Sequence, residues 1–524
     1  MNAAVDQARL VEALARSAGA QSAPARVLQT HISYVLLTGA HAYKIKKAVA
    51  FAFLDFRTLA ARRHFCEEEL RLNRRLAPEL YLDVVPITGS VDAPVLGGEG
   101  AALEYAVKMR EFPQDALASA LLARGELDAG DIDALAARVA AFHAAIDSGP
   151  SPGFGTPDAI LHLAQRNFAE IDPLLAAGDS ERHELDALRA WTAREHDRRH
   201  AAFERRYEQG FIRECHGDLH LGNIARIDGK VVIFDCIEFN DEMRWIDVMS
   251  EIAFTVMDLE DRGRADLAHR FLNTYLETTG DYAGLAVLPF YLAYRALVRA
   301  KVALLRAAQQ GSAASASREE ARGYLRLAAK HAAPTRPALI ITHGLSGCGK
   351  TTISQPLLER IGAVRVRSDV ERKRARGIAP LERVEPGVGN GLYAPAEIDA
   401  TYDRLRGLAR WIVDAGRIAI VDATFLRHRQ REQFRALAAE LGVPFVILSF
   451  EASEATLHAR VVQRHAARHD ASDADAAVLA HQIATREPLT LDERARVVVY
   501  DAEAPLAAAR APAAWSVLTS RLEH

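Results

Sequence analysis

The sequence predicts a two-domain protein, with an N-terminal α+β domain followed by a C-terminal α/β domain built on a parallel sheet. The chain has 524 residues, and single hydrophobic cores stop growing at about 250 to 300 residues. β-rich runs precede long helical segments in the first part, whereas strands and helices alternate after residue 337, which is the pattern of a parallel sheet. The text AAPTRP at 332–337 is typical of a linker. We therefore predict domains at 1–332 and 338–524, joined by a linker at 333–337.

The elements of the first domain follow from hydrophobic periodicity. Residues 32–47 contain two β-rich runs that meet at Thr38-Gly39, which predicts a hairpin. Helical spacing of apolar residues from Thr58 to Leu76 predicts a helix. The remaining predictions are a strand at 103–112, helices over 115–207, short strands over 211–239 and helices again over 245–332.

Composition excludes several classes of protein. The formal net charge of −4 and the pI near 6.6 disfavour a protein that coats nucleic acid, because such binding needs a strongly basic surface. The four cysteines form no CxxC pair and no spacing typical of metal ligands. The N-terminus lacks the pattern of a signal peptide, and no apolar run is long enough for a membrane span. We expect a cytoplasmic protein without a membrane partner.

The C-terminal domain opens with a phosphate-binding motif. The run GLSGCGKT fits GxxxxGK followed by Ser or Thr, and it lies between an apolar strand and a helix. Glycines let the backbone amides face a polyphosphate, Lys350 reaches the outer phosphates and Thr351 ligates Mg²⁺. A chance Gly-rich turn is the alternative. The predicted ATP-binding residues are Gly344, Leu345, Ser346, Gly347, Cys348, Gly349, Lys350, Thr351 and Thr352.

Two aspartates follow the next predicted strands of this sheet. Asp369 comes after the strand at 363–367, and Asp422 comes after the strand at 417–421. Ligands of such sheets bind beyond the carboxyl ends of the strands. We predict that Asp422 holds Mg²⁺ and that Asp369 is a catalytic base or positions the acceptor hydroxyl. The alternative for each is an N-cap of the following helix.

Three arginines recur every four residues near the C-terminus. Arg460, Arg464 and Arg468 would lie along one helical face. They would form a lid that stabilises charge on the transferred phosphoryl group, or else a solvated basic stripe.

The runs GLSGCGKT, RSDVERKR and IVDATF resemble the small P-loop kinases that phosphorylate metabolites, including gluconate-kinase-like and zeta-toxin-like enzymes. This resemblance implies an ATP-dependent kinase domain.

The first domain carries a second phosphotransfer motif. HGDLHLGN contains Asp218 and Asn223 at the spacing of a kinase catalytic loop, and the apolar run VVIFD ends in Asp235. In such loops the Asp accepts the proton of the acceptor hydroxyl, while the Asn and the later Asp bind Mg²⁺. Upstream, Lys44 and Lys46 share one face of a strand. Glu68 or Glu69 on the following helix can pair with one of these lysines and orient the ATP phosphates.

This order of motifs resembles the aminoglycoside phosphotransferase superfamily, within the kinase-like fold. The resemblance implies Asp218 as the base, Asn223 and Asp235 as metal ligands, and Lys44 or Lys46 as the phosphate lysine. It also implies a hinge beside adenine at Met109 to Phe112 and a bracing role for Asp247. Two departures are the absence of a Gly-rich loop before Ile32 and the residues Cys236-Ile237 after Asp235.

Across nearly the whole chain, the order of the two halves resembles bacterial bifunctional aminoglycoside phosphotransferase/ATP-binding proteins. We predict an ATP-dependent phosphotransferase that acts on hydroxyl groups of small molecules at two Mg·ATP sites. One alternative is that only the P-loop half is active and the kinase-like half is regulatory. Another is a nucleotide-dependent nucleic-acid end kinase or binding module, which the overall acidity disfavours.

Overall fold

The computed structural model describes residues 6–17, 25–51, 54–146, 148, 153–175, 180–310, 314–382, 394–467 and 471–523. Contacts divide the chain into two compact units. The first unit comprises Met1–Leu163 and Phe203–Asp258, and the second comprises Ala164–Ala202 and Leu259–His524. Residues 259–332 therefore belong to the same compact unit as the C-terminal region. The linker at 333–337 between two domains stays a prediction from the sequence.

The first unit contains a six-stranded antiparallel sheet in the order β1-β2-β3-β8-β6-β7. Its strands are β1 (Arg26–Gln29), β2 (Ser33–Leu37), β3 (His41–Lys46), β6 (Tyr81–Gly89), β7 (Pro94–Leu96) and β8 (Glu104–Arg110), with β4 (Ala50–Phe51) and β5 (Leu54–Asp55) paired separately. The predicted hairpin is confirmed as β2 and β3. The predicted helix is confirmed as α2 (Leu59–Asn73), whose N-cap hydroxyl, Thr58, accepts from the amide of Ala61.

Short strands and helices complete the first unit. The two-stranded pairs are β9 with β12 and β10 with β11, both antiparallel. The element bounds are α1 (Gln7–Ser17), α3 (Ala118–Ala123), α4 (Ala129–Ala145), β9 (Ile212–Glu214), β10 (Ile224–Ile227), β11 (Lys230–Ile233), α7 (Asp241–Arg244) and β12 (Trp245–Asp247). Three helices contain residues of both units: α5 (Pro157–Ile171), α6 (Ser180–Glu208) and α8 (Val248–Asp261).

The second unit contains a parallel five-stranded sheet in the order β14-β15-β13-β16-β17. Its strands are β13 (Ala338–His343), β14 (Val364–Arg367), β15 (Ile418–Asp422), β16 (Phe445–Glu451) and β17 (Val497–Asp501). The helices along this part are α12 (Lys350–Ile361), α13 (Ser368–Arg374), α14 (Pro395–Asp414), α15 (His428–Leu441), α16 (Glu454–Ala467), α17 (Ala476–Thr485), α18 (Leu491–Arg494) and α19 (Ser516–Glu523). The predicted fold class is confirmed, and the carboxyl ends of β13, β14 and β15 lie side by side.

Helices that precede the P-loop strand belong to the same unit. They are α9 (Ala265–Thr279), α10 (Leu288–Gln310) and α11 (Ser315–Ala332), with a 3-10 helix at Tyr282–Ala286. The open edge of β14 meets this region, because the amide of Arg365 donates to Asn273 Oδ1 at 2.7 Å. The carbonyl of Arg365 accepts from the Tyr282 hydroxyl at 3.5 Å. Side chains of Asn273 and Tyr282 thus provide hydrogen-bond partners for backbone groups of β14, which is an edge strand of the sheet.

Among the residues with described positions, no helix combines the length and the apolar character that crossing a membrane requires.

Candidate active sites

Two lysines of β3, the partly buried Lys44 and the buried Lys46, share one glutamate in the first unit. Lys44 Nζ lies 2.8 Å from Glu69 Oε1, and Lys46 Nζ lies 2.7 Å from Glu69 Oε2. Each lysine has a second carboxylate as well: Lys44 contacts Asp235 at 2.5 Å, and Lys46 contacts Glu238. Of the two candidate glutamates, the structure brings Glu69 to the lysines.

Lys44, Lys46 and Glu69 shift one another's pKa values. Burial raises the pKa of the Glu69 carboxyl, but Lys44 and Lys46 lower it by more than burial raises it. The pKa of Glu69 therefore falls to about 2. Burial lowers the pKa of Lys44, whereas Asp235 and Glu69 raise it well above its ordinary value. The Lys46 side chain is fully buried, while 12% of Lys44 remains exposed beside the half-exposed Asp235. This geometry favours Lys44 as the phosphate lysine.

The catalytic-loop motif forms a compact polar cluster. Asn223 Nδ2 donates to both the carbonyl and Oδ2 of Asp218, at 3.0 Å each. His220 Nδ1 accepts from the amide of Gly222 at 3.0 Å, and its Nε2 lies 3.4 Å from Asp218 Oδ2. Because Nδ1 is an acceptor, Nε2 carries the proton and points it toward Asp218. His220 is thus a partner of the predicted base, and about a third of the Asp218 side chain is exposed.

Helix α8 holds this loop through residues that sequence reasoning missed. Glu251 accepts from the amide of His216 at 2.8 Å, and Asp258 accepts from the amide of Leu221 at 2.8 Å. Thr255 donates to the carbonyl of Leu219 at 2.8 Å. The three side chains follow the i, i+4, i+7 spacing of one helical face. Polar residues at this spacing on a largely apolar helix were the feature of the sequence that could have revealed their role. Asp247, the predicted brace, pairs with Arg206 and accepts from the amide of Met249.

Asp235 lies just after β11 in an unusual backbone conformation. Its φ of +65° falls in the left-handed region, which is costly for a residue with a Cβ. The amide of Asp235 donates to the Tyr81 hydroxyl at 3.1 Å, and the amide of Cys236 donates to Asn73 Oδ1 at 2.9 Å. These contacts hold the turn. The Asp235 side chain is 42% exposed to solvent, and its carboxylate contacts Lys44. In the predicted hinge, Phe112 packs edge-on against Phe234, with ring centroids 5.3 Å apart.

The P-loop of the second unit depends on its glycines. Gly344, Gly347 and Gly349 have φ values of +148°, +88° and +83°, a region that favours glycine. A Cβ on Gly347 would also lie 2.8 Å from the carbonyl oxygen of Leu457. The amide of Ser346 donates to Gln482 Oε1 at 2.9 Å. No motif in the sequence had indicated Gln482.

Lys350 and Thr351 begin α12. Lys350 Nζ donates to the carbonyl oxygens of Gly344 and Leu345, at 2.9 Å each, and lies 3.7 Å from the Cys348 sulfur. Thr351 Oγ1 donates to Asp422 Oδ2 at 2.6 Å. The structure thus brings together the predicted lysine, hydroxyl and carboxylate at the carboxyl ends of β13 and β15.

Asp369 lies in the first turn of α13 and pairs with Arg372 at 2.6 Å. Burial raises its pKa, but Arg372, Ser472 and Arg367 lower it below the ordinary value overall. A carboxylate with a lowered pKa is a weak base. The ion pair with Arg372 and the lowered pKa therefore both favour the second predicted role of Asp369, which is to position a hydroxyl.

The two described arginines of the predicted lid both line the cavity beside the P-loop. Arg460 Nη2 donates to the carbonyl of Ala502 at 2.9 Å, and Arg464 Nη2 donates to the carbonyl of Ala474 at 3.0 Å. Nη1 of Arg460 lies 3.8 Å from the position that a Cβ on Gly349 would take. Arg468 lies outside the described residues. The lid itself stays a prediction.

A cavity of about 1230 Å³ joins the P-loop to the ends of β14 and β15. It exceeds the usual volume of a site for one small ligand. Lys350, Thr352, Asp369, Asp422 and Arg464 all line it. The cavity therefore has room for a nucleotide and a second substrate.

A kinase-type catalytic loop in one unit and a P-loop on a parallel sheet in the other define a protein with two phosphotransferase-type regions. Family models agree with this class. Residues 42–288 match the phosphotransferase enzyme family, and residues 339–489 match an AAA domain family.

Curated proteins of two mycobacterial species are similar to this chain over most of its length. The chain is 32% identical over 467 residues to the uncharacterized protein Rv2004c of Mycobacterium tuberculosis (strain ATCC 25618 / H37Rv). A protein of Mycobacterium bovis (strain ATCC BAA-935 / AF2122/97) matches equally, and each alignment covers 87% of this chain and 89% of the relative. The chain belongs to the same family as these relatives, and in this chain the region that matches the phosphotransferase enzyme family precedes the region that matches the AAA domain family.

Solved structures resemble one part of the chain or the other. A choline kinase from Cryptosporidium parvum Iowa II is 10% identical, covers 59% of this chain and 88% of its own, and has a TM-score of 0.37. A gluconokinase from Sinorhizobium meliloti 1021 is 23% identical, covers 36% of this chain and 98% of its own, and has a TM-score of 0.23.

Proposed function

We propose that this protein is an ATP-dependent phosphotransferase with two Mg·ATP sites that phosphorylates hydroxyl groups of small molecules. The observation that carries the proposal is that each unit has a lysine at its predicted phosphate site and, in the same site, side-chain oxygens that can ligate a metal ion. In the first unit Lys44 lies 2.5 Å from Asp235, and in the second Thr351 lies 2.6 Å from Asp422 at the end of the P-loop. The four buried cysteines, all free thiols, support a cytoplasmic location.

Both sites have donors that fit Mg²⁺. This cation prefers carboxylate, amide and hydroxyl oxygens. In the first unit, Asn223 uses Nδ2 to hold Asp218, which leaves its Oδ1 available together with the Asp235 carboxylate. In the second unit, Thr351 Oγ1 and Asp422 supply the oxygens. When bound, Mg²⁺ neutralises charge that develops on the phosphates.

In the first unit, Lys44 binds the ATP phosphates, and Glu69 keeps its ammonium group oriented. Asp218 accepts the proton of the acceptor hydroxyl as that oxygen attacks the γ-phosphorus. His220 stabilises the position of the Asp218 carboxylate. Helix α8 prevents the loop from moving, because Glu251 and Asp258 hold its amides.

In the second unit, the amides of the P-loop and Lys350 bind the phosphates at the start of α12. Asp369 positions the acceptor hydroxyl, and Arg460 and Arg464 stabilise charge on the transferred group. Most of the catalytic effect then comes from positioning and electrostatic stabilisation, as is usual for phosphoryl transfer.

The experiment is a screen for phosphotransfer by the full chain. Protein, ATP, Mg²⁺ and a panel of hydroxyl metabolites are incubated, and ADP and phosphorylated products are measured by mass spectrometry. We expect at least one product that Asp218→Ala abolishes and another that Lys350→Ala abolishes. Turnover that survives both substitutions would contradict the proposal. If only Lys350→Ala reduced turnover, the P-loop unit would be the only active kinase.

A further inference from the structure

Gln482 is a polar residue on the inward face of α17. Val478 and Leu479 of the same helix are buried, at 6% and 0% exposure, and Gln482 follows them by four and three residues. That spacing puts the three side chains on one face of the helix. The next residue, Ile483, packs partly buried against the hydrophobic core of this unit. A carboxamide at such a position loses hydration unless it finds hydrogen-bond partners, so its contacts indicate what it does.

Gln482 and Lys350 hold the same peptide group of the P-loop from opposite sides. The amide of Ser346 donates to Gln482 Oε1 at 2.9 Å, and the carbonyl of Leu345 accepts from Lys350 Nζ at 2.9 Å. The carbonyl and the amide belong to one trans peptide unit, so they point in opposite directions. Because one C=O bond and one C–N bond separate the two contacts, Gln482 Oε1 lies within about 9 Å of Lys350 Nζ.

The orientation of the Gln482 carboxamide follows from its contact with the P-loop. A backbone N–H is a donor, so the atom that faces the Ser346 amide must be the oxygen and not the nitrogen. Within the part of the chain that the structure describes, Gln482 Nε2 makes no hydrogen bond. Gln482, Ser346 and Gly347 all line the cavity of this unit. The structure thus places an NH₂ donor at the wall of the cavity, beside the P-loop.

Contacts just before and just after α17 fix the position of this helix. The carbonyl of Ala474, before the helix, accepts from Arg464 Nη2 at 3.0 Å. The amide of Glu487, after the helix, donates at 2.9 Å to the carbonyl of Leu426, which lies in the loop that follows β15. Gln482 is therefore held beside the P-loop by a helix that is attached at both ends.

We propose that Gln482 is a catalytic residue of the P-loop unit and that its Nε2 donates a hydrogen bond to an oxygen of the γ-phosphoryl group. This inference rests on the proposed function and adds a residue to that site. Two hydrogen bonds of about 2.8 Å with one phosphoryl group between them span about 8 Å. That span matches the separation of Gln482 from Lys350, so one phosphoryl group above the shared peptide can accept from both side chains.

During the transfer, Gln482 acts on charge and not on the proton. The acceptor oxygen bonds to the γ-phosphorus as the bond from phosphorus to the ADP oxygen breaks. ADP keeps the electron pair, and the hydroxyl proton passes to water. Gln482 stabilises charge on the oxygens of the transferred group, and the contact with Ser346 keeps its carboxamide in place before the reaction begins.

A brace for the P-loop is the other role that this geometry permits. The two roles differ in the ligands that they affect. A brace holds the loop for ADP and ATP alike, whereas a donor to the γ-phosphoryl group acts only when that group is present. AMPPNP carries a γ-phosphoryl group and ADP lacks one, so the ratio of their affinities separates the two roles.

The test is calorimetric titration of the full chain with ADP and with AMPPNP, both in the presence of Mg²⁺. Binding that Lys350→Met removes is assigned to the P-loop unit. Gln482→Leu should lower the ratio of AMPPNP affinity to ADP affinity by about tenfold or more, the usual effect of losing a hydrogen bond to a charged group. Turnover of ATP by the P-loop unit should fall by a similar factor.

A second variant, Gln482→Glu, separates the donor from the brace. Glutamate still accepts from the amide of Ser346 but has no N–H group, so the affinity ratio should fall at least as far as in Gln482→Leu. If Gln482→Leu does not fold, Gln482→Glu alone decides the question.

Thr485→Val is the matched control. Thr485 lines the same cavity from the same helix, and its hydroxyl donates to the carbonyl of His481 at 2.8 Å. Its affinity ratio should equal that of the unsubstituted chain.

Two results would overturn the inference. One is an affinity ratio that does not change in either Gln482 variant, which includes equal losses of ADP and AMPPNP affinity. The other is a lower ratio in Gln482→Leu that Gln482→Glu restores, because Gln482 would then be a brace alone. Failure of the proposed function looks different, since the unsubstituted chain would then show no AMPPNP binding that Lys350→Met removes.

Discussion

The two units hold the lysines that we propose bind phosphate, Lys44 and Lys350, in opposite ways. In the first unit Lys44 lies among carboxylates, with Glu69 at 2.8 Å and Asp235 at 2.5 Å. In the second unit Lys350 donates to two backbone carbonyls of its own loop, both at 2.9 Å. The first lysine therefore depends on residues from distant parts of the chain, and the second depends on six consecutive residues. Replacing a charged residue of the first site should therefore lower the free energy of unfolding much more than replacing Lys350 in the second.

The largest effect is expected at Glu69, because the partly buried Lys44 and the fully buried Lys46 lose their shared carboxylate. We expect Glu69→Gln to lower the free energy of unfolding by about 4 kcal/mol, the range for breaking a buried ion pair. Glu68→Gln is the neighbouring control, since Glu68 pairs with the half-exposed Arg71 and should change stability by about 1 kcal/mol or less. Urea denaturation measures both variants. Equal losses of stability in the two variants would contradict the assignment of Glu69 as the shared partner of Lys44 and Lys46.

A second effect concerns Glu238, which lies beside the fully buried Lys46. Glu238→Gln leaves Lys46 with Glu69 alone, so Lys46 competes with Lys44 for that carboxylate. We expect a loss of about 3 kcal/mol in stability and weaker ATP binding in the first unit.

Lys46→Met combined with Glu238→Gln removes both charges of that pair. The double variant should recover most of the stability and the ATP affinity, since no uncompensated charge remains. ATP affinity that stays weak in the double variant would indicate a direct contact between Glu238 and the ligand.

Replacing Lys44 and replacing Lys350 should lower stability by amounts that differ less than those of the Glu69 and Glu68 variants. Lys44→Met and Lys350→Met should each abolish ATP binding at their own site. We expect Lys44→Met to cost about 3 kcal/mol of stability, because Glu69 stays buried with one fewer partner. Lys350→Met should cost about 1 kcal/mol, because only carbonyl hydrogen bonds are lost. Thermal and urea unfolding of the two variants, side by side, checks the ranking; a reversed order would refute it.

The last prediction concerns how the stability of the protein depends on pH through His343, which ends β13. Burial, with Arg431 and Lys350 nearby, lowers the pKa of His343 to about 4. The unfolded chain binds this proton more readily, so the contribution to stability is full above pH 6.5 and is lost as the pH falls toward 4. His343→Gln should remove about 2 kcal/mol of this pH dependence. Urea unfolding at pH 7 and pH 4.5 measures it, and parallel curves for both chains would contradict it.

The same contrast explains what the sequence could predict. The P-loop is local, so its glycines, Lys350 and Thr351 were evident from eight consecutive residues. The parallel sheet then placed Asp422 beside Thr351 by strand order alone. The fold class and several of the strands and helices followed from periodicity for similar reasons. Helix α1 and strand β6 were not predicted, and Trp245–Asp247, at the start of a predicted helical region, form strand β12.

The first site could be predicted only in part. Strand periodicity put Lys44 and Lys46 on one face, but the choice between them depends on Asp235, which is 191 residues away. Glu238 and Gln482 act through tertiary contacts that no spacing reveals. The contact of α9 with β14 was likewise unforeseen, because Asn273 precedes its partner Arg365 by 92 residues. Long-range pairing decides such roles, and one sequence carries little signal for it.

The central claim is that each unit binds its own Mg·ATP, and counting bound nucleotide tests it most directly. Isothermal titration of the full chain with AMPPNP and Mg²⁺ should give two sites per chain. Lys44→Met and Lys350→Met should each leave one site, and the double variant should leave none. A single site in the unsubstituted chain that one of these variants leaves intact would contradict the account.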